Sequence, residues 1–421
     1  MSGCSGPVNV ALLGFGTVGQ SVARILCDGR HPSLRLRAVC TRRAADAQRD
    51  APWVPSEVLW TTDFDETMAA GADVVVELIG GFDPARAWIV SALAAGRSVV
   101  TANKQVMAEH GPELVDLARA RGCSLRFEAA VGGATPVLCG IRDGLSADRI
   151  SRMAGVVNGT NNFILTRMER HGLSLPDAVA EAQALGLAEA DPSADLDGLD
   201  ARAKLAILAT LGFGLRVRPA DVATQSIRVI ESADIEHAAL LGRSIRQIAW
   251  TELVEGCETT IRALVTPALV PHTSSLACLE GPRNAVCVRG DRSGDTVFVG
   301  EGAGGDATAV AVVSDLLGIA HAPVPPRVWP SDAATVLTGL DVPHYLRVSR
   351  TPDRDQPDPA VVLDRLGIRI RVRLTVLTGQ RDWAAVVLPC RAQQLADAAA
   401  SLVDPSDAGA AAICLPLIDV A

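Results

Sequence analysis

Residues 8–29 read VNVALLGFGTVGQSVARILCDG, and the order of events inside this stretch decides the fold of the N-terminal third. Val8–Leu13 is a short apolar run. Gly14-Phe15-Gly16-Thr17-Val18-Gly19 follows at once, and then a helical pattern places Val18, Val22, Ile25 and Leu26 on one face before Asp28-Gly29 closes it. A glycine-rich turn by itself only bends a chain. Leaving a strand and opening a helix, it aims backbone N–H groups and the positive end of a helix dipole at one spot, which suits a pyrophosphate. A nucleotide site at Gly14, Gly16, Thr17, Val18 and Gly19 is therefore expected.

The alternation continues. Strand candidates follow at LRLRAVCTRR (34–43), DVVVELIGG (73–81), RSVVTANK (97–104) and CSLRFEAAV (123–131), with helical patterns between them at DPARAWIVSALAAG (83–96) and GPELVDLARARG (111–122). Strands alternating with helices predict a parallel, doubly wound sheet of Rossmann type. The end of the second strand bears on which nucleotide enters. An NAD site usually carries an acid about 20 residues past the glycines to meet the ribose. Here the chain reads Thr41-Arg42-Arg43, with no carboxylate before Asp46. Guanidinium groups suit a 2′-phosphate, so NADP is the expected cofactor and NAD the alternative. A solvated arginine pair is the other reading of these residues.

At 421 residues the chain exceeds one ordinary core, and two or three domains are expected. Hydrophobic residues make up 48% and aromatics 3%, so the cores must be mainly aliphatic. A net charge of −9 argues against a nucleic-acid or anionic-membrane surface. No apolar run is long enough to span a bilayer, and MSGCSGPVNVALLG has no basic segment leading into a long apolar one. The ten cysteines form no C-x-x-C pair, and Cys139, Cys278 and Cys414 lie in apolar segments. Reduced, buried thiols and a cytoplasmic location are the expectation.

Among 39 Lys+Arg residues only Lys104 and Lys204 are lysines. Lys204 falls on a helix expected to begin near Leu196, with Asp200, Ile207, Leu208 and Leu211 close to its face. An exposed Asp200–Lys204 pair would contribute only about 0.3–0.5 kcal/mol. The following LAILATL is too apolar for a solvent face, so a partly buried amine beside a carboxylate is expected instead. An amine can release and recover a proton during carbonyl reduction, which arginine cannot. Lys104 ends SVVTANK, at the carboxyl edge of the sheet where such folds place ligands. An exposed lysine at a strand end is the bland alternative.

VELIGG (76–81), TANK (101–104), NGT (158–160) and above all AEADPSADLDGLDARAKLAI (188–207) make the chain resemble the homoserine dehydrogenases of the aspartate pathway. The resemblance runs in order from residue 8 to about 330. It implies NAD(P)-dependent interconversion of L-homoserine and L-aspartate 4-semialdehyde, serving threonine and methionine biosynthesis, in a homodimer or homotetramer. It also implies roles: Lys204 as proton carrier, Lys104 touching cofactor and substrate, and Asp200 orienting Lys204 or the homoserine end. Glu189 would meet the substrate amino group, with Asp195, Gly159 and Thr160 also at the substrate. Helix capping is the competing reading of Asp195. Ile79 and Gly304 would lie at the cofactor. In FEAAVGGATPVL (127–138), the resemblance implies a monovalent cation, Na+ or K+, at Glu128, Val131, Gly133 and Thr135. A Gly-Gly turn would bend the chain equally well without one, and the Gly-Ala-Thr spelling departs from the family's commoner one. Two rivals stand beside this reading: an oxidoreductase for another small semialdehyde, and a non-catalytic paralogue that senses nucleotide or amino acid.

The expected architecture is α/β throughout. Residues 1–143 form the NADP-binding domain, completed by a returning segment at 300–330. Residues 144–299 form an α+β domain for substrate and dimerisation, and 340–421 a ferredoxin-like domain. APVPPRVWPSD (322–332) reads as a proline-rich linker. Beyond it, HYLRVS, PAVVLDRLG, RIRVRLTVL, DWAAVVLPC, RAQQLADAAASLV and AAICLPLI give the order β-α-β-β-α-β, which looks like a small ACT-type regulatory domain. Family effector sites usually have a glycine after an aspartate-proline turn, and TPDRDQPDPAVV (351–362) has none. A dimerising or degenerate domain is as consistent with that run as a threonine sensor.

Overall fold

In the computed structural model, which describes residues 6–322, 330, 332–349, 358–374, 382–403 and 411–420, the opening stretch forms strand β1 (Val8–Leu13) running into the helix Thr17–Cys27. Five more strands join it: β2 (Leu34–Cys40), β3 (Leu59–Thr61), β4 (Val74–Glu77), β5 (Ser98–Thr101) and β6 (Leu125–Arg126). All pair in parallel, in the order β3-β2-β1-β4-β5-β6. The order reverses between β1 and β4, and in such sheets the crevice beyond the carboxyl ends at that reversal is where ligands bind. GFGTVG, Thr41-Arg42-Arg43, VELIGG and TANK sit at the ends of β1, β2, β4 and β5.

Both faces of this sheet are covered. Helix Thr17–Cys27 and the helix Gly305–His321, which returns from late in the chain, share one core through Val22, Leu26, Ala309, Val312 and Leu316. On the other face Ile89, Leu93, Val106, Met107 and Leu114 belong to a core that continues into Leu205, Ile207 and Leu208 of the helix Leu199–Phe213. That continuity matters, because it packs the Lys204 helix against the helix Lys104–Ala120.

The second sheet runs in the order Gly294–Glu301, Arg283–Gly290, Ile150–Val156, Arg243–Leu253, Thr260–Pro271 and Thr335–Leu337, with Ala223–Thr224 also paired to Thr260–Pro271. Helices Gly159–His171 and Leu199–Phe213 lie against it. Its other side meets Leu340, Ile418 and Val420 from near the C-terminus. The C-terminal strands His344–Ser349, Ile370–Leu374, Trp383–Val387 and Ala411–Pro416 enclose helices Pro359–Arg365 and Ala392–Ser401 in β-α-β-β-α-β order. Their sheet order, second-third-first-fourth, is antiparallel throughout. Most of the proline-rich linker (323–329 and 331), most of TPDRDQPDPAVV (351–357), and 375–377 of the strand RIRVRLTVL lie outside the described residues.

Four local expectations need correction. The Lys204 helix does not begin near Leu196: Ser193–Leu196 is a separate turn of helix, and Gly198, in the left-handed region at φ 77°, starts the next one. That second helix is buried almost all round rather than along a stripe, as suits a helix between two sheets. Lys104 does not end a strand; β5 stops at Thr101 and Lys104 is the first residue of a helix capped by Asn103, whose Oδ1 accepts from Val106 N at 3.1 Å. Finally, Cys278 is exposed and Cys139 and Cys414 are only partly covered, although the nine described cysteines are all free thiols.

Candidate active site

The nucleotide turn depends on missing side chains. Gly14 has φ 105°, and a Cβ there would lie 2.9 Å from the Leu78 carbonyl oxygen. A Cβ on Gly19 would run into the Gly14 carbonyl oxygen, so the helix could not approach the strand as it does. Gly16 caps the helix without a side-chain hydrogen bond, leaving the first-turn N–H groups around Thr17 and Val18 for a ligand. Opposite, Glu77 is fully buried at the end of β4. It accepts from Ile79 N at 2.9 Å, Gly80 N at 3.1 Å and the Thr101 hydroxyl at 2.6 Å, fastening the Ile79 turn to β5. Asn103 Nδ2 adds a bond to the Gly81 carbonyl at 2.7 Å.

Beyond the end of β2 lies a cavity of about 330 Å³ lined by Phe15, Gln20, Thr41, Arg43 and the helix Ala44–Asp50. Arg43 faces it; Arg42 is exposed and is not among its lining residues. Gly304 caps the returning helix at φ 112°, and a Cβ on the adjacent Gly305 would lie 2.9 Å from Thr17 Cγ2 and Ser21 Oγ, so the start of that helix rests against the nucleotide helix.

Across the crevice, Asp200 is the hub. It is 8% exposed and Lys204 9%, which removes the exposed-pair reading. Lys204 Nζ donates to Asp200 Oδ2 at 2.7 Å and to the Val157 carbonyl at 2.8 Å. Lys104 Nζ reaches Asp200 Oδ1 at 2.5 Å. Asn158 Nδ2 donates both to Asp200 Oδ2 at 2.9 Å and to Asp195 Oδ1 at 2.7 Å. Asp195 thus does not cap a helix with its side chain; it lies within the turn Ser193–Leu196 and faces the lysines. Its backbone carbonyl takes Asn161 Nδ2 at 2.6 Å.

The charges follow this geometry. Burial drives the Lys204 ammonium below the ordinary lysine range, more than the Asp200 carboxylate raises it. Burial acts on Lys104 in the same direction, but there Asp200, Asp195 and Glu189 outweigh it and the net shift is upward. Burial would raise Asp200, yet Lys204 and Lys104 hold it well below the usual carboxylate range. Asp195, with burial dominant, is raised. One site therefore holds a firmly cationic amine and an amine made readier to release a proton.

Glu189 is exposed on the loop after helix Leu175–Ala184, within electrostatic reach of Lys104. The Thr160 hydroxyl donates to the Leu187 carbonyl at 2.9 Å, tying that loop to the helix Gly159–His171. Gly159 has no room for a side chain: a Cβ would sit 2.5 Å from the Pro282 carbonyl oxygen. Glu128, Val131, Gly133 and Thr135 gather elsewhere, on the turn after β6. Glu128 accepts from Leu138 N at 3.0 Å and Cys139 N at 2.7 Å, and burial followed by Asp315 raises its pKa to about 7. Asp315 of the returning helix accepts from Glu128 N at 2.8 Å. Sequence reasoning missed the Asn158 side chain, Glu77, Asn103 and Asp315. Asn158, Glu77 and Asn103 left a trace only as members of NGT, VELIGG and TANK, with no role of their own.

A dinucleotide turn and a buried lysine-aspartate cluster facing one crevice fit the nicotinamide-dependent oxidoreductases. The profile for the homoserine dehydrogenase NAD-binding domain matches residues 14–128, and that for homoserine dehydrogenase matches 136–317. The homoserine dehydrogenase of Synechocystis sp. is 42% identical over 318 residues, 74% of this chain and 73% of that one. The crystal structure of a homoserine dehydrogenase from Thiobacillus denitrificans superposes with a TM-score of 0.87 at 32% identity, covering 98% of each chain. A hyperthermophilic archaeal homoserine dehydrogenase in complex with NADPH gives 0.64 at 28% identity, covering 76% of this chain and all of that one. The chain belongs to the homoserine dehydrogenase family. It is an NAD(P)-dependent oxidoreductase interconverting L-homoserine and L-aspartate 4-semialdehyde in the aspartate pathway, and the sensor and alternative-semialdehyde readings give way to this one. Among the described residues no helix is long and apolar enough to cross a membrane.

Proposed function

We propose that Lys204 is the proton carrier of this reaction. Bound nicotinamide supplies or accepts the hydride; the chain's own residues hold the substrate and move the proton. The single observation carrying the assignment is that Lys204 Nζ has two N–H groups engaged, by Asp200 and Val157, in a buried site, leaving the third for a substrate oxygen. In reduction the ammonium gives its proton to the carbonyl oxygen as hydride reaches the carbon; in oxidation the neutral amine takes it back. Lys104, cationic and anchored on Asp200, orients reactants. Glu189 supplies negative charge for the substrate ammonium and Asp195 meets the homoserine end, beside Gly159 and Thr160. Lys204→Arg tests the assignment: it keeps the charge and loses proton exchange, so kcat should fall by roughly 100-fold or more with NADPH affinity retained. A kcat near that of the parent contradicts it.

NADP preference is the second part of the reading, and the cavity beyond β2 supports it through Arg43, which makes no ion pair among the described residues. Arg42, exposed at the preceding position, is the second guanidinium of this reading. Arg43→Ala should raise KM for NADP at least about tenfold more than KM for NAD, ~1.4 kcal/mol of selective binding; equal effects on both would defeat the preference. For the cation, the fit rests on the Thr135 hydroxyl, buried without a hydrogen-bond partner among the described residues, beside the Gly132-Gly133 turn. Rates that do not change when Na+ and K+ are replaced by tetramethylammonium would count against it. A homodimer or homotetramer is the proposed assembly, to be read by sedimentation; a monomer would refute it. The nine free thiols favour a cytoplasmic location, which fractionation of cells would check.

A further inference from the structure

Asn284 is fully buried in the strand Arg283–Gly290, within the otherwise apolar run NAVCV. Its Nδ2 donates at 3.2 Å to the Val157 carbonyl oxygen, the same atom that accepts Lys204 Nζ. Only the amide nitrogen can face that acceptor, which fixes the orientation of the group. The Oδ1 on the other side is buried and has no hydrogen-bond partner among the described residues. A chain that needed only packing would place an aliphatic residue here, as at Ala285, Val286 and Val288. The space for the amide is created by Gly302, where any Cβ would collide with the Asn284 side chain. Gly302 precedes Gly304 and the helix that rests on the nucleotide turn. Asn284 is thus wedged between the segment entering the cofactor side and the carbonyl that holds the lysine.

We propose that Asn284 is a positioning residue for proton transfer: by anchoring the Val157 carbonyl it aims the remaining N–H of Lys204 at the substrate oxygen. Two of the three hydrogens on an ammonium fix the direction of the third. One of the two acceptors, Asp200, is held by Lys104 and Asn158; the other, Val157 O, is held by Asn284. The inference rests on Lys204 being the proton carrier, and its test is arranged to fail separately from that assignment.

Asn284→Leu keeps the approximate volume, removes the donor and removes the unpaired acceptor. Its kcat for homoserine oxidation should fall at least about tenfold, while KM for homoserine and NADP stays within about threefold. The solvent deuterium effect on kcat should increase, because the misdirected proton step becomes slower. In a Lys204→Arg background the same change should cause no further loss, since there is no proton exchange left to aim. A folded Asn284→Leu with kcat within about twofold of the parent, a loss carried by KM, or losses that multiply in the double variant would each overturn the proposal. The last result would do so with the Lys204 assignment intact. If the leucine variant does not fold, Asn284→Ala, which cannot overfill the site, is judged by the same criteria.

Discussion

Lys204 and Lys104 share one carboxylate and shift in opposite directions, and the difference lies in what else each amine meets. Lys204 is enclosed at the start of a helix buried nearly all round, where burial outweighs its partner; Lys104 is partly exposed and also feels Asp195 and Glu189. The sign of the pH dependence follows. On the proposed proton-carrier role, homoserine oxidation needs the neutral Lys204 amine, so its kcat should rise with pH through a pKa below the ordinary lysine value. Aldehyde reduction needs the ammonium and should fall through the same pKa. Lys104, shifted upward, stays cationic across that window and adds no limb. Initial rates in both directions across neutral to alkaline pH would check this. An oxidation profile that is flat or falls there would exclude Lys204 as the proton acceptor.

At the scale of elements, two glycines of the nucleotide turn separate steric from ligand effects. Gly19→Ala drives a Cβ into the Gly14 carbonyl oxygen, forcing helix and strand apart. It should cost about 1–3 kcal/mol of stability as well as NADPH affinity. Gly16 has φ −78°, and no atom lies within 4 Å of the place a Cβ would take, so Gly16→Ala should leave urea unfolding unchanged and weaken only NADPH binding. Unchanged NADPH titrations for Gly16→Ala would remove this turn from the site. These elements were legible because their signals are local: apolar runs of the right length, glycines in a strand–helix turn, and the six tail elements in order. The break at Gly198 was not, because DLDGLDARAK reads as one helical run and only the packing of Gly198 beneath Val265 and Gln247 selects the left-handed turn. Nor could sequence show that Asn158 would bind Asp200 and Asn284 would bind Val157, contacts across 42 and 127 positions. Lys204 stood out by its rarity and motif, whereas nothing local marks Asn284 as its neighbour.

At the scale of the whole molecule, a second buried polar group joins the C-terminal sheet to the helix Ser232–Leu240. Arg347, on the first C-terminal strand, and Asp234, on the helix Ser232–Leu240, are both fully buried and joined at 2.7 and 3.1 Å. Tyr345 donates to Asp234 at 2.8 Å and meets His237 Nδ1 at 2.8 Å; Arg347 also reaches Asp382 at 3.2 Å and Glu231 at 3.1 Å. The chain end adds Ile418 N to the Leu269 carbonyl at 3.0 Å and Arg243 to Asp419 at 2.6 Å, so the last sheet is fixed to the second at two places. A buried ion pair contributes little compared with an apolar pair, but losing one partner strands the other charge. Arg347→Leu leaves the Asp234 carboxylate buried with no cationic partner, holding only the bonds from Tyr345 Oη and Glu231 N, and should lower the unfolding free energy by about 3–5 kcal/mol. Adding Asp234→Leu should restore most of it, because the one fully buried carboxylate is gone and Glu231 and Asp382, which also lose Arg347, both reach solvent. Urea unfolding of the full chain, followed for the single and double variants, measures both changes. A single variant within ~1 kcal/mol of the parent would mean that the C-terminal sheet is held by its apolar contacts alone.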